Sequence, residues 1–553
     1  MSESRRRDAL VAGAIFLVAL VVRLIHFREV ALHDPYYALP TVDDLQYDAW
    51  ARRLAAGDGF PDGVLYLGPG YPLFMAAVYA LFGASLPAVK AVQVVLGAGS
   101  CVLAWGIARE IFDRRVAAVA GLLAALHAML VFYGGTLMTV NLTIPLVLGL
   151  VWALVRGFRT PTLIGFACCG LLLGLATLVQ QTILLLAPLV VVWILVGLLV
   201  GMKDNSLLAR RASFAALFAL AAFACILPIT AHNAVTGHDF VLLNSMGGAN
   251  FYMGNQREAD GTWQVPDLGS HLRADNPDEM QRQLEAAAER ATGREMRPSE
   301  ISSYWMARGI DEIRADPLRW IRLELRKLGL YFNAYEVWNI RSFELSQETS
   351  GVLRLPLATM GFIAPLGLLG LLLTLARWRE LVPLYGVFLV YLASSLLFFV
   401  LARYRLPGVL MLLPFAAFAL VRTSEALWAD DRRWLAGWGV VLALLVALVH
   451  LPLESSEGRM HMAYYNLANK YRELERWDEA IDAYQKSLRL VPGAVSTHNN
   501  LALTYELGGR RDEAIREWQV VAEIGRRQGD RGRVERAKRH LQALQPGETS
   551  QTP

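Results

Sequence analysis

Two adjacent carboxylates, Asp43 and Asp44, follow closely after the first apolar stretch of the chain. A carboxylate can act as a general base that takes the proton of an attacking hydroxyl. Together with Asp48, the pair offers oxygen ligands for a divalent cation that also binds phosphate. The phosphate of a lipid would lie at such a membrane edge. An acidic pair is also common in solvated turns and at helix N-termini, so the pair alone leaves both interpretations open.

Two arginines, Arg403 and Arg405, lie beside a late apolar stretch. Guanidinium groups match phosphate oxygens in charge and geometry. The positive-inside rule predicts few arginines at an outer boundary, which favours phosphate binding over anchoring to lipid headgroups. Arg23, inside the first apolar stretch, is expected to snorkel to the interface instead. Lys327 is a further candidate for the phosphate, although a solvated helix face would also explain it.

Composition indicates a membrane protein. Of the 553 residues, 55% are hydrophobic and 18% are charged, against about 25% charged in soluble domains. Long apolar runs alternate with short basic connectors, and the net charge is only +4. The basic residues flank apolar runs, which argues against a nucleic-acid surface. All four cysteines lie inside apolar runs, where they are expected to be small packing residues.

The apolar runs predict eleven membrane-spanning helices. Each is close to the ~20 residues that cross the hydrocarbon, where the backbone must be helical. No cleavage site follows the first run, so we interpret it as an uncleaved helix. The predicted spans are 9–27, 86–108, 116–134, 137–156, 162–180, 183–201, 212–231, 355–376, 381–401, 406–422 and 435–452.

Loop charge predicts the orientation. Arg5 to Arg7 place the N-terminus inside, and the connectors that then face the cytoplasm are all basic, including Lys203 to Arg211. Eleven crossings place the C-terminus outside. The expected location is the plasma (inner) membrane, with the catalytic loops and the tail on the outer or periplasmic face.

Two long segments face outside in this scheme. The predicted domains are a transmembrane module at 1–232 with a first outer loop at 28–85, an outer-face domain at 233–354, further spans at 355–452, and a repeat domain at 460–544. The expected fold is an all-α polytopic membrane protein with an α+β or mostly helical outer insertion. The amphipathic stretch 298–330 would lie on the membrane or pack against the spans.

The tail contains a sequence repeat. Asn466-Leu467-Ala468 recurs as Asn500-Leu501-Ala502, at an offset of 34 residues. This is the period of the tetratricopeptide repeat. Stacks of such helix pairs present surfaces to peptides and proteins. A protein partner or acceptor is therefore expected at the repeat, with a purely structural cap as the alternative.

The order of several sequence blocks resembles the C-type glycosyltransferase fold, in the branch of the protein O-mannosyltransferases and the lipid A aminoarabinose transferases. The first outer loop carries an acidic pair followed by Tyr47, and then Gly-Pro-Gly-Tyr-Pro-Leu-Phe. The other blocks are 227–233 with 248–255, Arg326-Lys327-Leu328 with Tyr335-Glu336, and Arg403-Tyr404-Arg405-Leu406-Pro407. The resemblance covers roughly residues 9–425. The chain departs from many relatives at 138–141, which lacks an acid, and near 179–181, which lacks a base.

The resemblance implies an inverting glycosyltransferase that moves a hexose or pentose from a polyprenyl-phosphate donor to a protein, lipid or glycan acceptor. It implies Asp43 as general base with Asp44 in support; Arg403, Arg405 and Lys327 around the donor phosphate; and Tyr47, Tyr71 and Glu336 at the substrate. No cofactor is certain, and a divalent cation is possible. His232, His238 and His271 have no ligand spacing, so we assign no metal ligands.

Two other functions are compatible with the same architecture. A transporter for a lipid-linked glycan would need charged residues at mid-bilayer, and the ionisable residues mostly lie at span ends. A non-catalytic membrane anchor that displays the repeat would need neither the acidic pair nor the Arg-Tyr-Arg turn.

Overall fold

The computed structural model describes residues 3–37, 40–196, 208–266, 277–454 and 456–544. Within these ranges the chain forms helices and turns without a β-strand, apart from one isolated bridge between His127 and Ala358. The predicted all-α class is therefore confirmed, and the outer insertion is helical where it is described. Most of the predicted connector 203–211, and His271, lie outside the described residues.

The chain divides into two compact units. The first, here called the membrane unit, comprises Met1–Leu32, Pro40–Ile340 and Ser350–Leu453. The second, here called the repeat unit, comprises His33–Leu39, Arg341–Thr349 and Glu454–Pro553. Two short segments that adjoin the membrane unit along the chain thus belong by packing to the repeat unit.

The helices before the outer insertion are α1 (Glu3–His33), α2 (Asp43–Ala56), α3 (Gly70–Phe82), α4 (Leu86–Ile111), α5 (Arg114–Ala125), α6 (Ala128–Gly134), α7 (Val140–Arg159), α8 (Leu163–Val179), α9 (Leu186–Val196) and α10 (Leu208–Thr236). They are followed by α11 (Gly247–Asn255), α12 (Pro277–Thr292), α13 (Pro298–Ala315), α14 (Pro317–Phe332), α15 (Phe343–Thr349), α16 (Met360–Thr374), α17 (Trp378–Leu397), α18 (Ala402–Leu410), α19 (Leu413–Trp428) and α20 (Arg432–Val449).

Six helical segments of the described residues are long and apolar enough to cross a membrane, and the bent pair α18–α19 would make a seventh. Three shorter apolar helices include α8 and the segment Gln181–Val196, where two further spans are predicted. Predicted span 116–134 is divided between α5 and α6, because the His127 side chain accepts a hydrogen bond from the backbone of Met129 and starts a new helix. The count of eleven crossings stays a prediction.

Small residues let helices α8 and α10 approach closely. A Cβ atom added at Gly170 would lie 2.1 Å from the carbonyl oxygen of Phe218, and one at Gly174 would lie 2.7 Å from that of Ala222. Two small residues four apart are a common interface between membrane helices, because van der Waals contact drives their association. These glycines therefore allow close packing of α8 against α10 within the membrane unit.

The prediction for Arg23 is wrong. Its side chain is 1% exposed and donates to the carbonyl oxygens of Ala19 and Ala125, at 3.1 and 3.2 Å. It also contacts the sulfur of Cys101 at 3.4 Å. The neighbouring helices supply acceptors inside the protein, so the guanidinium fixes α1 to α4 and α5 and does not reach for the interface.

The tail forms the predicted repeat. Its helices are α21 (Ser456–Glu473), α22 (Trp477–Leu490), α23 (Val495–Leu507), α24 (Arg511–Arg527) and α25 (Arg531–Leu544). Ala468, Ala480, Ala502 and Ala514 are fully buried where paired helices meet. The same unit includes α15, whose Glu348 accepts hydrogen bonds from Tyr464 and, at 3.2 Å, from Lys486. The repeat stack therefore packs against α15, a helix from the segment 233–354 that is predicted to be an outer-face domain.

Candidate active site

The acidic pair starts helix α2. Asp43 and Asp44 occupy its first turn, where the positive end of the helix dipole stabilises carboxylates. Val42, directly before them, has a φ of 49°. A β-branched residue rarely adopts such a conformation, and backbone strain of this kind clusters at functional sites. The chain thus holds Asp43 in place at a local cost in free energy.

The structure brings Asp43 and Arg403 together. A guanidinium nitrogen of Arg403 donates to Oδ2 of Asp43 at 3.1 Å, across 360 residues of sequence. The two side chains are 9% and 18% exposed, respectively. The guanidinium also lies 4.8 Å from the centre of the Tyr404 ring. Its buried Nε has no hydrogen-bond partner among the described residues. Arg403 therefore has donor capacity left beside the carboxylate, as a phosphate-binding group requires.

Two buried tyrosines, Tyr47 and Tyr71, pack next to the helix turn that carries Asp43 and Asp44. The ring of Tyr47 packs edge-on against that of Tyr71, with centroids 5.1 Å apart. Burial, and then the charge of Asp43, raise the pKa of Tyr47 well above its usual value, so the phenol stays neutral. Tyr71 is completely buried, and its hydroxyl donates to Gln93. In the structure Tyr71 packs against Tyr47, and its substrate contact stays a prediction.

The carboxylates near Asp43 are in different environments. Asp44 is 1% exposed, whereas Asp48 accepts hydrogen bonds from Arg52 at 2.9 Å and Tyr79 at 2.5 Å. Within the described ranges, no group of three or more His, Cys, Asp or Glu side chains is placed to hold a metal ion. The contact of Asp43 with Arg403 puts a positive charge where a cation would otherwise neutralise the carboxylate.

Arg405 does not face the acidic turn. It is 1% exposed and donates to Glu336 at 2.8 Å. It also donates to the carbonyl oxygens of Leu330, Tyr331, Asn333 and Tyr335, at 2.7 to 3.0 Å. Leu330 and Tyr331 are in the last turn of α14, where carbonyls have no partner within the helix. In the structure these contacts join α18 to α14, an arrangement called here the structural lock. The phosphate contact of Arg405 and the substrate contact of Glu336 stay predictions.

Lys327 is likewise occupied. Its side chain is fully buried, and Nζ donates to Glu324 and to the carbonyl oxygen of Leu396, both at 2.7 Å. Burial lowers the pKa of Lys327, and the contact with Glu324 opposes that shift. These hydrogen bonds join α14 to the end of α17, and the phosphate contact of Lys327 stays a prediction.

A second polar cluster next to Asp43 was missed at the level of sequence. The hydroxyl of Tyr66 donates to Asp278, in the first turn of α12. With its amide oriented to satisfy both neighbours, Gln46 donates to the same carboxylate at 3.1 Å. Burial, then Asp278 and Asp43, raise the pKa of Tyr66. Only the helical spacing of Gln46, three residues after Asp43, could have indicated this cluster.

Comparison with known families agrees with the predicted resemblance. Residues 67–231 match the family described as dolichyl-phosphate-mannose-protein mannosyltransferase, and residues 461–493 match the tetratricopeptide repeat. Residues 67–231 are thus similar to a segment of that family, and the tail contains a tetratricopeptide repeat, as the sequence blocks predicted. Asp43 and Arg403 lie outside the matched segment, so their roles depend on geometry and on the block order.

Solved structures and a curated protein show weaker similarity. The archaeal oligosaccharyltransferase AglB from Archaeoglobus fulgidus, solved with an inhibitory peptide and a dolichol-phosphate, is 14% identical with a TM-score of 0.41, over 87% of this chain and 60% of that one. ArnT from Cupriavidus metallidurans, solved with undecaprenyl phosphate, is 16% identical with a TM-score of 0.34, over 75% and 79%. Anaphase-promoting complex subunit 6 of Dictyostelium discoideum is 45% identical over 51 residues, which are 9% of this chain and 6% of that protein.

Proposed function

We propose that the protein is a membrane glycosyltransferase that moves a sugar from a polyprenyl-phosphate-linked donor to an acceptor hydroxyl. The observation that carries the proposal is the pair formed by Asp43 and Arg403, in which an acid on a strained helix start meets a guanidinium with unused donor capacity. A non-catalytic anchor would need neither group. The match of residues 67–231 to a mannosyltransferase family supports the donor class.

The two side chains divide the reaction between them. Asp43 takes the proton of the acceptor hydroxyl while the oxygen of that hydroxyl forms a bond to the anomeric carbon. The bond from that carbon to the phosphate oxygen breaks, and the electron pair leaves with polyprenyl phosphate. Arg403 stabilises the charge that develops on this phosphate. Attack opposite the leaving group inverts the anomeric carbon, as the resemblance implies.

Arg403→Ala should weaken donor binding. Losing a charge-assisted hydrogen bond costs about 1.5–3 kcal/mol, which corresponds to a roughly ten- to hundredfold loss of affinity. Binding of a polyprenyl-phosphate analogue to purified, lipid-reconstituted protein measures it. Arg53→Ala removes an exposed arginine from α2, the helix that begins at Asp43, and should bind as the wild type does. Equal affinity in Arg403→Ala and wild type would remove Arg403 from the donor site.

The acceptor and its side of the membrane form the second part of the proposal. We place the site and the repeat unit on the outer face, with the repeat presenting a protein acceptor. The contacts of Asp34 and Tyr36 with Arg341 within the repeat unit support this, because Asp34 and Asp43 belong to the same predicted outer loop, 28–85. Mass spectrometry of glycans and glycoproteins from a deletion strain identifies the acceptor by the modification that is lost.

Asp62→Cys and Ser496→Cys, both at exposed positions, should react with a membrane-impermeant thiol reagent on intact cells whose outer membrane, if present, is permeabilised. Asp62 lies in the first outer loop and Ser496 in the repeat. Both labels are expected because the proposal puts both residues outside. The unsubstituted chain with its four cysteines is the background control. If Ser496→Cys reacts only after lysis while Asp62→Cys reacts on intact cells, the same-side proposal is wrong.

A further inference from the structure

A cluster of three polar side chains lies one helical turn from Asp43, within the membrane unit. Gln46 follows Asp43 by three residues on α2, so the two side chains share one face of that helix. The hydroxyl of Tyr66 donates to one oxygen of Asp278, and the reoriented amide of Gln46 donates to the other at 3.1 Å. Burial, then Asp278 and Asp43, raise the pKa of Tyr66. The cluster therefore lies close to the proposed base.

The three side chains are held in place and still keep accessible surface. Gln46, Tyr66 and Asp278 are each half-buried. The ring of Tyr66 packs edge-on against that of Trp50, with centroids 5.7 Å apart. Trp50 is 2% exposed, and its indole N–H donates to the amide oxygen of Gln46. A ligand can therefore contact the cluster without first ordering it, which lowers the entropy cost of binding.

The cluster has acceptor capacity that hydroxyl groups would satisfy. Asp278 is a carboxylate whose hydrogen-bond partners, over the described ranges, are both uncharged. It lies in the first turn of α12, where the helix dipole stabilises its charge. Gln281, on the same face of α12, donates to Glu285 at 2.7 Å, whereas its buried Oε1 has no partner in the part of the chain that the structure describes. Carboxylate and amide oxygens accept hydrogen bonds from hydroxyl donors.

The spacing along α2 matches the size of a sugar. Three residues of an α-helix rise by about 4.5 Å, which is close to the width of one sugar ring. A donor whose anomeric carbon is attacked by a hydroxyl at Asp43 therefore places its ring near Gln46. We infer that Asp278 and Gln46 bind hydroxyl groups of the donor sugar and thereby determine which hexose or pentose is transferred. The inference rests on the proposed function and names the residues that bind its sugar.

Two lipid probes test the inference in the full-length, lipid-reconstituted protein without the need for transfer. One is a short-chain polyprenyl phosphate, and the other is the same lipid phosphate carrying one sugar from a panel of hexoses and pentoses. At least one sugar should raise the affinity of the wild type above that for the bare phosphate. Asp278→Asn should lower the affinity for that sugar-bearing lipid about ten- to hundredfold, because hydrogen bonds to a charged group are lost.

The bare phosphate and a matched variant are the controls. Asp278→Asn should bind the bare phosphate within about twofold of wild type, because Arg403 is unchanged. Asp311→Asn replaces an exposed carboxylate of α13 and should bind both probes as the wild type does. An equal loss for both probes in Asp278→Asn would indicate a displaced site and overturn the inference.

Monodeoxy analogues of the preferred sugar locate the contact. One analogue should bind the wild type about tenfold more weakly than the parent sugar, because an acceptor of the protein then lacks its donor. Asp278→Asn should bind the parent and that analogue within about twofold of each other. If Asp278→Asn does not fold, Gln46→Ala decides, and it should lose affinity for the sugar-bearing lipid only.

Two other outcomes separate this inference from the proposed function. If the folded variants keep wild-type affinity for the sugar-bearing lipid, whatever their unfolding temperature, the cluster only joins α12 to the chain around α2 and the inference is wrong. A wild type that binds the bare phosphate equally well with and without every sugar refutes the inference alone. A wild type that binds neither probe refutes the proposed function as well.

Discussion

Asp43→Asn should abolish sugar transfer, with kcat reduced by about 10²- to 10⁴-fold, the usual contribution of a general base. The amide has the size of the acid but cannot take the acceptor proton. The loss of negative charge also frees Arg403 from its partner, so affinity for polyprenyl phosphate should not fall. A kcat loss with retained donor binding separates this variant from Arg403→Ala, where donor binding weakens. Transfer assays and analogue binding on the same reconstituted sample measure both quantities.

Two variants of the same loop control this experiment. Asp58→Asn changes an exposed carboxylate and should leave kcat unchanged. Asp44→Asn should have a milder effect than Asp43→Asn, because Asp44 is buried in the first turn of α2 and supports its neighbour. Size-exclusion profiles should be the same for all three proteins. A near wild-type rate for Asp43→Asn would remove the proposed base, and with it the mechanism.

The parts of the fold that repeat in sequence were predictable. The 34-residue offset predicted the repeat, and in the structure α22 ends at Leu490 before α23 begins at Val495. The apolar runs also predicted helices, because a segment that crosses the lipid must be both apolar and helical. Hydropathy could not locate the break between α5 and α6, because a side-chain cap at His127 leaves the run apolar. The sequence also contains no pattern that predicts the assignment of His33–Leu39 to the repeat unit.

The candidate site was predictable only in part, and Arg403 and Arg405 show why. Successive residues of a helix turn by about 100°, so side chains two apart point in nearly opposite directions. The motif suggested phosphate binding for both arginines. In the structure Arg403 meets Asp43, whereas Arg405 meets Glu336 and the end of α14. Which arginine faces the acid depends on how α18 is rotated in the fold, and a linear motif does not contain that rotation.

The two arginines should consequently fail in different ways when replaced. Arg405→Ala should destabilise the fold by about 3–5 kcal/mol, as expected when one partner of a buried pair is removed. Glu336 would remain as a buried charge, and four carbonyl oxygens would lose their donor. Thermal unfolding in detergent should show a large fall in midpoint for Arg405→Ala and a small one for Arg403→Ala.

Removing both charges tests the origin of that loss. The double variant Arg405→Met/Glu336→Leu should recover part of the stability, because no isolated charge is then buried. It should not recover all of it, since the carbonyl oxygens at the end of α14 still lack a donor. If Arg405→Ala unfolds at the wild-type temperature but binds polyprenyl phosphate poorly, Arg405 belongs to the donor site and the structural lock is wrong. If Arg405→Ala unfolds at a lower temperature and the double variant regains part of that loss, Arg405 stabilises the fold. Arg403 is then the arginine of α18 that binds the donor.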